Sequence, residues 1–155
     1  MAFSLPRLLS ICLLILLFLP ISGKVQAEDT LTTLLVLAGD EKHNKAEPRL
    51  QPYARDISEF FHYDTLSLIG NKSRVIREHS AGILTPNEVF YVRYVVLKQL
   101  RAHYQMRIDL LENLNNKEKL LVSTEVRLAK GAPIYVKGRS GRSGTLILIL
   151  EIKQE

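Results

Sequence analysis

The chain has 155 residues, 46% hydrophobic and 24% charged, with a formal net charge of +5 and one cysteine. That balance, with 8 glycines and 6 prolines, excludes wholesale disorder, a collagen-like helix and low-complexity repeats. Residues 1–27 carry Arg7 and Lys24 and no acidic group; without them Lys plus Arg falls from 21 to 19 against 16 acids, leaving +3 over 128 residues, which suits one domain with its own core.

Met1–Ala27 reads as a secretory signal peptide, with Arg7 in the positive region, an apolar run over Leu8–Leu19, and cleavage expected after Ala27. The run is too short for the roughly twenty apolar residues that a permanent membrane helix needs. The remainder is therefore expected to be exported, periplasmic or secreted, without a transmembrane anchor. Cys12 leaves with the signal, so disulfides, thiol redox chemistry and thiolate metal sites are not expected in residues 28–155. Such a domain must rest on apolar burial.

Residues 31–38 (LTTLLVLA) have strand length and end at Gly39-Asp40. Beyond the polar loop 40–48, Leu50, Tyr53, Ala54, Ile57, Phe60 and Phe61 recur at helical spacing and predict one amphipathic helix near residues 48–61. Pro48 and Pro52 fit only in or before its first turn. Residues 63–69 then read as a strand, Gly70-Asn71 as a turn, 73–77 as a short return strand and 80–85 as a loop.

Residues 86–112 carry conflicting signals. Thr85-Pro86-Asn87-Glu88 has the form of a helix start, yet residues 89–97 (VFYVRYVVL) are rich in β-branched and aromatic side chains. The period of two in Ala102, Tyr104, Met106, Ile108 and Leu110 decides for strands over 88–98 and 101–112. After a polar turn at 113–119, Leu120, Val122, Thr124, Val126 and Leu128 alternate as a half-exposed strand. A turn at 130–133, a short strand at 134–137, a loop at 138–144 and the apolar strand 145–153 complete the chain, the last expected at the centre of its sheet. The predicted class is α+β: a mostly antiparallel, sandwich-like single domain over 28–155, with one helix followed by about six strands.

No catalytic, cofactor or metal set emerges. His43 lies near Glu41 and Glu47, His62 near Asp64 and His79 beside Glu78, but no HExxH or paired-histidine spacing is present. A metalloprotein or small hydrolase would require His43, Glu41 and Glu47 to converge with a further ligand. There is no GxSxG elbow, and the acids are scattered. The segment 137–144 (KGRSGRSG) is the most suggestive feature: its glycines free backbone N–H groups to face an anion, and Lys137, Arg139 and Arg142 would add cationic contacts. It is not a phosphate loop of the Gly-Lys-Ser/Thr kind. A modest +3 charge and few aromatics give no nucleic-acid platform, so the polyanions to consider are acidic glycans and anionic lipid headgroups. Asn71-Lys72-Ser73 has the form of a glycosylation sequon.

The segments EPRLQPYARDISEFFHYDTLSLI, STEVRLAKGAPIYVKG and GTLILILEI, behind a signal peptide, resemble small exported bacterial proteins of unassigned function. That resemblance implies a cell-envelope setting and no known activity. Residues 121–138 also resemble the strand-turn-strand of secretin pore proteins, but the following RSGRSG lacks the paired glycines expected there, and no site residue is carried over. The expected function is a non-enzymatic interaction or structural domain of the cell envelope, without a cofactor, binding an envelope protein partner through a sheet edge or face. The alternatives are anion binding by the 137–144 segment and, third, the hydrolase or metalloprotein.

Overall fold

The computed structural model describes residues 28–39 and 47–154. The expected signal peptide, with its cleavage point after Ala27, and His43 with Glu41 lie outside the described residues. The strands are β1 (Asp29–Gly39), β2 (Thr65–Ile76), β3 (Ala81–Leu84), β4 (Phe90–Gln99), β5 (His103–Leu114), β6 (Lys117–Ala129), β7 (Ile134–Gly141) and β8 (Gly144–Gln154). A 3-10 turn at Pro48–Leu50 leads into helix α1 (Gln51–Phe61). Two four-stranded antiparallel sheets result, ordered β2-β1-β8-β7 and β3-β4-β5-β6. The expected α+β, sandwich-like arrangement is present, with seven strands after the helix. Among the described residues no helix is long and apolar enough to cross a membrane.

Three layers account for this arrangement. Leu31, Leu35, Leu148 and Leu150 of the first sheet meet Val92, Tyr94, Met106, Ile108 and Leu110 of the second. The opposite face of the first sheet, with Leu34, Val36, Ile147 and Ile149, lies under Leu50 of the 3-10 turn and Tyr53 and Ile57 of α1. Strands β1 and β8 are thus buried on both faces, which is why their sequences are almost continuously apolar. Two phenols pin the helix. Tyr53 donates to Glu151 Oε2 at 2.7 Å, and Tyr135 donates to Asp56 Oδ2 at 2.8 Å. The helix ends at His62, whose left-handed backbone (φ 60°) lets its N–H reach the Ser58 carbonyl. Phe60, expected on the buried face, is instead 64% exposed and leans against the Tyr135 ring.

Several local expectations are corrected by long-range pairing. Gly70-Asn71 is not a turn: β2 runs straight through it, and Ile69 is the extra residue of a bulge opposite Leu35 and Val36. Gly70 serves a close approach, since a Cβ there would collide with the carbonyl oxygen of Pro86. Residues 81–84 of the expected loop pair with β4 as a short edge strand. The helix-start form of Thr85-Pro86-Asn87-Glu88 opens a strand instead, with Asn87 Oδ1 accepting the N–H groups of Val89 and Phe90 at 3.0 and 2.7 Å. The polar turn 113–119 shrinks to Asn115-Asn116, both at positive φ (53° and 61°), as a two-residue hairpin demands. The expected loop 138–144 likewise becomes paired strand, leaving Arg142-Ser143 as the turn.

Candidate functional site

The outer faces of the two sheets differ. Helix α1 covers the first, whereas no described element covers the second. Strand register places Ile83, Tyr91, Leu111 and Leu120 on that uncovered side, one from each of its four strands. Ile83 and Leu120 are about half exposed, while Leu111 is buried between its cross-strand neighbours Tyr91 and Leu120. Beside this diagonal, Arg93 pairs with Glu118 at 3.5 Å, Arg107 with Glu125 at 2.8 Å, and Ser123 donates to Asp109 at 2.6 Å. The Tyr91 hydroxyl is shielded from solvent beside the Glu118 carboxylate, and burial and that carboxylate raise its pKa. The face therefore combines apolar anchors, an aromatic ring and paired charges.

Leu120 belongs here because of one extra residue. The sequence alternation puts it on the buried side with Val122. A bulge at Leu121 separates the pairs Leu110–Val122 and Leu111–Leu120, and turns Leu120 outward. Ile83 was hidden in an expected loop. No local signal identifies either residue as part of a common surface, because their proximity is created by four-strand register.

The predicted anion segment forms the β7–β8 hairpin. Ser140 pairs with Thr145 and Gly141 with Gly144, so the backbone there is engaged in strand pairing. Lys137 Nζ lies 5.7 Å from the centroid of the Tyr63 ring, and the Thr145 hydroxyl bridges those of Tyr63 and Ser140 at 2.7 and 2.8 Å. Arg139 and Arg142 are exposed and make no salt bridge among the described residues. His62 and His79 sit at exposed positive-φ positions, while His103 is half-buried at the start of β5. Among the described residues, no three His, Cys, Asp or Glu side chains are grouped to hold a metal ion.

A second polar cluster closes the end of the sandwich where β1 begins and β2, β4 and β8 end. Asp29, 6% exposed, accepts on Oδ2 from the Tyr104 hydroxyl and from Lys130 Nζ, the latter at 2.7 Å. Burial alone would raise the Asp29 pKa, but Lys130 and Tyr104 more than offset it, and the net shift is downward. Burial, with the same carboxylate beside it, raises the Tyr104 pKa. Sequence reading missed this cluster because its members lie 75 and about 100 positions apart.

The fold and surface define a class, a two-sheet antiparallel sandwich capped on one side by a helix. Comparison with protein-family models, with curated proteins and with solved structures returned no match for this chain.

Proposed function

We propose that this protein is an exported, non-enzymatic interaction domain of the cell envelope that docks a protein partner on the outer face of its second sheet. The observation that carries this reading is the apolar diagonal of Ile83, Tyr91, Leu111 and Leu120 on a face without a covering layer, flanked by the Arg93–Glu118 pair. Tyrosine and arginine are enriched among the anchors of protein interfaces, and the aliphatic neighbours here add apolar area that a partner can bury. Strands about 4.8 Å apart, of 4, 10, 12 and 13 residues, give this face an area of roughly 600 Å², somewhat below the ~800 Å² per partner of a standard interface.

The face is favoured over the edges for a physical reason. Edge strands recruit other strands unless they are short, bulged or charged. Here β3 has 4 residues, and β2, β6 and β7 each carry a register irregularity. Each also bears cations: Lys72 and Arg74, Lys117 and Lys119, Lys137 and Arg139. The test is affinity capture from envelope extracts with the wild type and with the Ile83→Asp/Leu120→Asp variant. A partner retained by the wild type and lost by the folded variant is expected. Equal retention by both would move the interface elsewhere, and no retained partner would count against the reading.

The hairpin supports a second reading, anion binding by Lys137, Arg139 and Arg142, because its two exposed arginines make no salt bridge among the described residues. It predicts that Arg139→Ala/Arg142→Ala loses binding to anionic phospholipid vesicles or an acidic glycan at low salt. Unchanged binding would remove it.

A further inference from the structure

Resting on the reading of the outer face of the second sheet as a docking surface, we propose that its occupant is a second copy of this chain. The two copies pack face to face about a two-fold axis that runs along the strands between β4 and β5. Two aliphatic side chains of this face stand about half in solvent, Ile83 at 50% and Leu120 at 55% exposure. They lie on the opposite edge strands, β3 and β6. Three strand spacings of about 4.8 Å, roughly 14 Å in all, separate those strands, so the two side chains cannot cover each other within one copy. The two-fold axis lays β3 of one copy over β6 of the other, and β4 over β5.

Register then decides which residues meet. Ile83, Arg93, Asp109 and Ser123 form one cross-strand row, and Tyr91, Leu111 and Leu120 form the next. Rotation about this axis keeps each row over itself with the strand order reversed. Ile83 therefore comes over Ser123 of the second copy, beside that copy's Leu120, and Tyr91 comes over Leu111. Arg93 comes over Asp109 of the second copy. Asp109 accepts from the Ser123 hydroxyl but makes no salt bridge among the described residues. A guanidinium brought to it supplies the missing opposite charge. Symmetry makes every one of these contacts twice.

The remaining charges suit a like surface. Arg93 already has Glu118 and Arg107 has Glu125, so the face is mixed in sign and two such faces do not repel. A strongly acidic or basic partner would be met by a face of one opposite sign. Roughly 600 Å² from each copy gives about 1,200 Å² in total, the lower end of specific interfaces, so a reversible dimer is expected. Stacked as aligned sheets about 10 Å apart, the second copy supplies the layer that α1 supplies to the first sheet.

Sedimentation equilibrium of the purified protein over a wide concentration range tests the proposal. The average mass is expected to climb toward twice that of the monomer, and to stay monomeric in Ile83→Asp/Leu120→Asp. Arg93→Asp and Asp109→Arg should each weaken association at least about tenfold, because like charges then face each other. Mixed in equal amounts, these two variants should associate with each other, since both opposed pairs regain opposite signs. A purely structural role for either residue gives no such rescue between chains. Arg55→Asp and Glu59→Arg, exposed on α1, should each associate as the wild type does. A wild type that is monomeric at every concentration, undiminished association of Ile83→Asp/Leu120→Asp, or no association in the mixture would overturn the proposal. A monomeric wild type that still captures an envelope protein through Ile83 and Leu120 would overturn self-association alone and leave the docking reading standing.

Discussion

Strand β8 reads TLILILEI and strand β5 reads YQMRIDL, though both are central strands of four-stranded antiparallel sheets. The difference lies in what covers them. In β8, Leu146, Leu148 and Leu150 face the second sheet, while Ile147 and Ile149 face the helix side, so both sets are buried. In β5, Tyr104, Met106, Ile108 and Leu110 are buried, while Gln105, Arg107 and Asp109 lie on the outer side. A strand's hydrophobic period therefore counts its covered faces. The uncovered side is also where the proposed docking surface lies.

Truncation should expose this asymmetry most strongly. Leu148→Ala and Ile149→Ala, on opposite faces of β8, are each expected to cost about 2–5 kcal/mol of unfolding free energy in denaturant titrations. Arg127→Ala, on the outer side of β6, should stay within about 0.5 kcal/mol. A small effect at Ile149 would mean that α1 does not seal the first sheet.

Next in size is Gly70→Ala, expected to cost about 1–3 kcal/mol because the new methyl would meet the Pro86 carbonyl. Unchanged stability would show that the Pro86 carbonyl does not press on Gly70.

The pH dependence sharpens the comparison at the sandwich end. The Asp29 pKa is lowered in the folded state, so its stabilisation is present above the unfolded carboxylate value of 3.8 and is lost as pH falls below that. Asp29→Asn should flatten this acid limb of the melting curve. The Tyr53 phenol, buried and hydrogen-bonded to Glu151, is pushed up to about 12 from 10.0. Its contribution is therefore complete below about 10 and lost as pH rises through about 12. Ultraviolet phenolate titration of wild type and Tyr53→Phe checks this; an ordinary Tyr53 transition near 10 would contradict it.

The smallest stability effect is expected on the uncovered face. Ile83→Asp/Leu120→Asp should change unfolding free energy by only about 0.5 kcal/mol per site, since both side chains are already about half in solvent. A large loss in melting temperature would show that these residues support the fold and would weaken the case for docking.

The helix and the β4–β5 assignment were legible because each rests on a repeated local period: Leu50, Tyr53 and Ile57 at helical spacing, and Tyr104 to Leu110 at a spacing of two. The turn signals were less informative. Gly70 and Gly82 are small where another part of the chain comes close: Pro86 at Gly70, and the Arg74 guanidinium and Tyr94 hydroxyl at Gly82. A glycine used for a close approach looks the same in sequence as one used for a turn. The segment around Arg139 and Arg142 reads in sequence as a glycine-rich, cationic loop, but it pairs as a strand with β8, and that pairing depends on the apolar strand that follows it.

By itself the amino-acid order determined the α+β class, helix α1 and the doubly buried character of β8, because side-chain periodicity is a property of neighbouring residues. Tertiary structure alone decided that Leu120 points outward, that Ile83 joins it on one face, and that Asp29 meets Tyr104 and Lys130. Those outcomes depend on a single-residue bulge and on strand register between distant segments, and a shift of one residue exchanges the two faces of a strand.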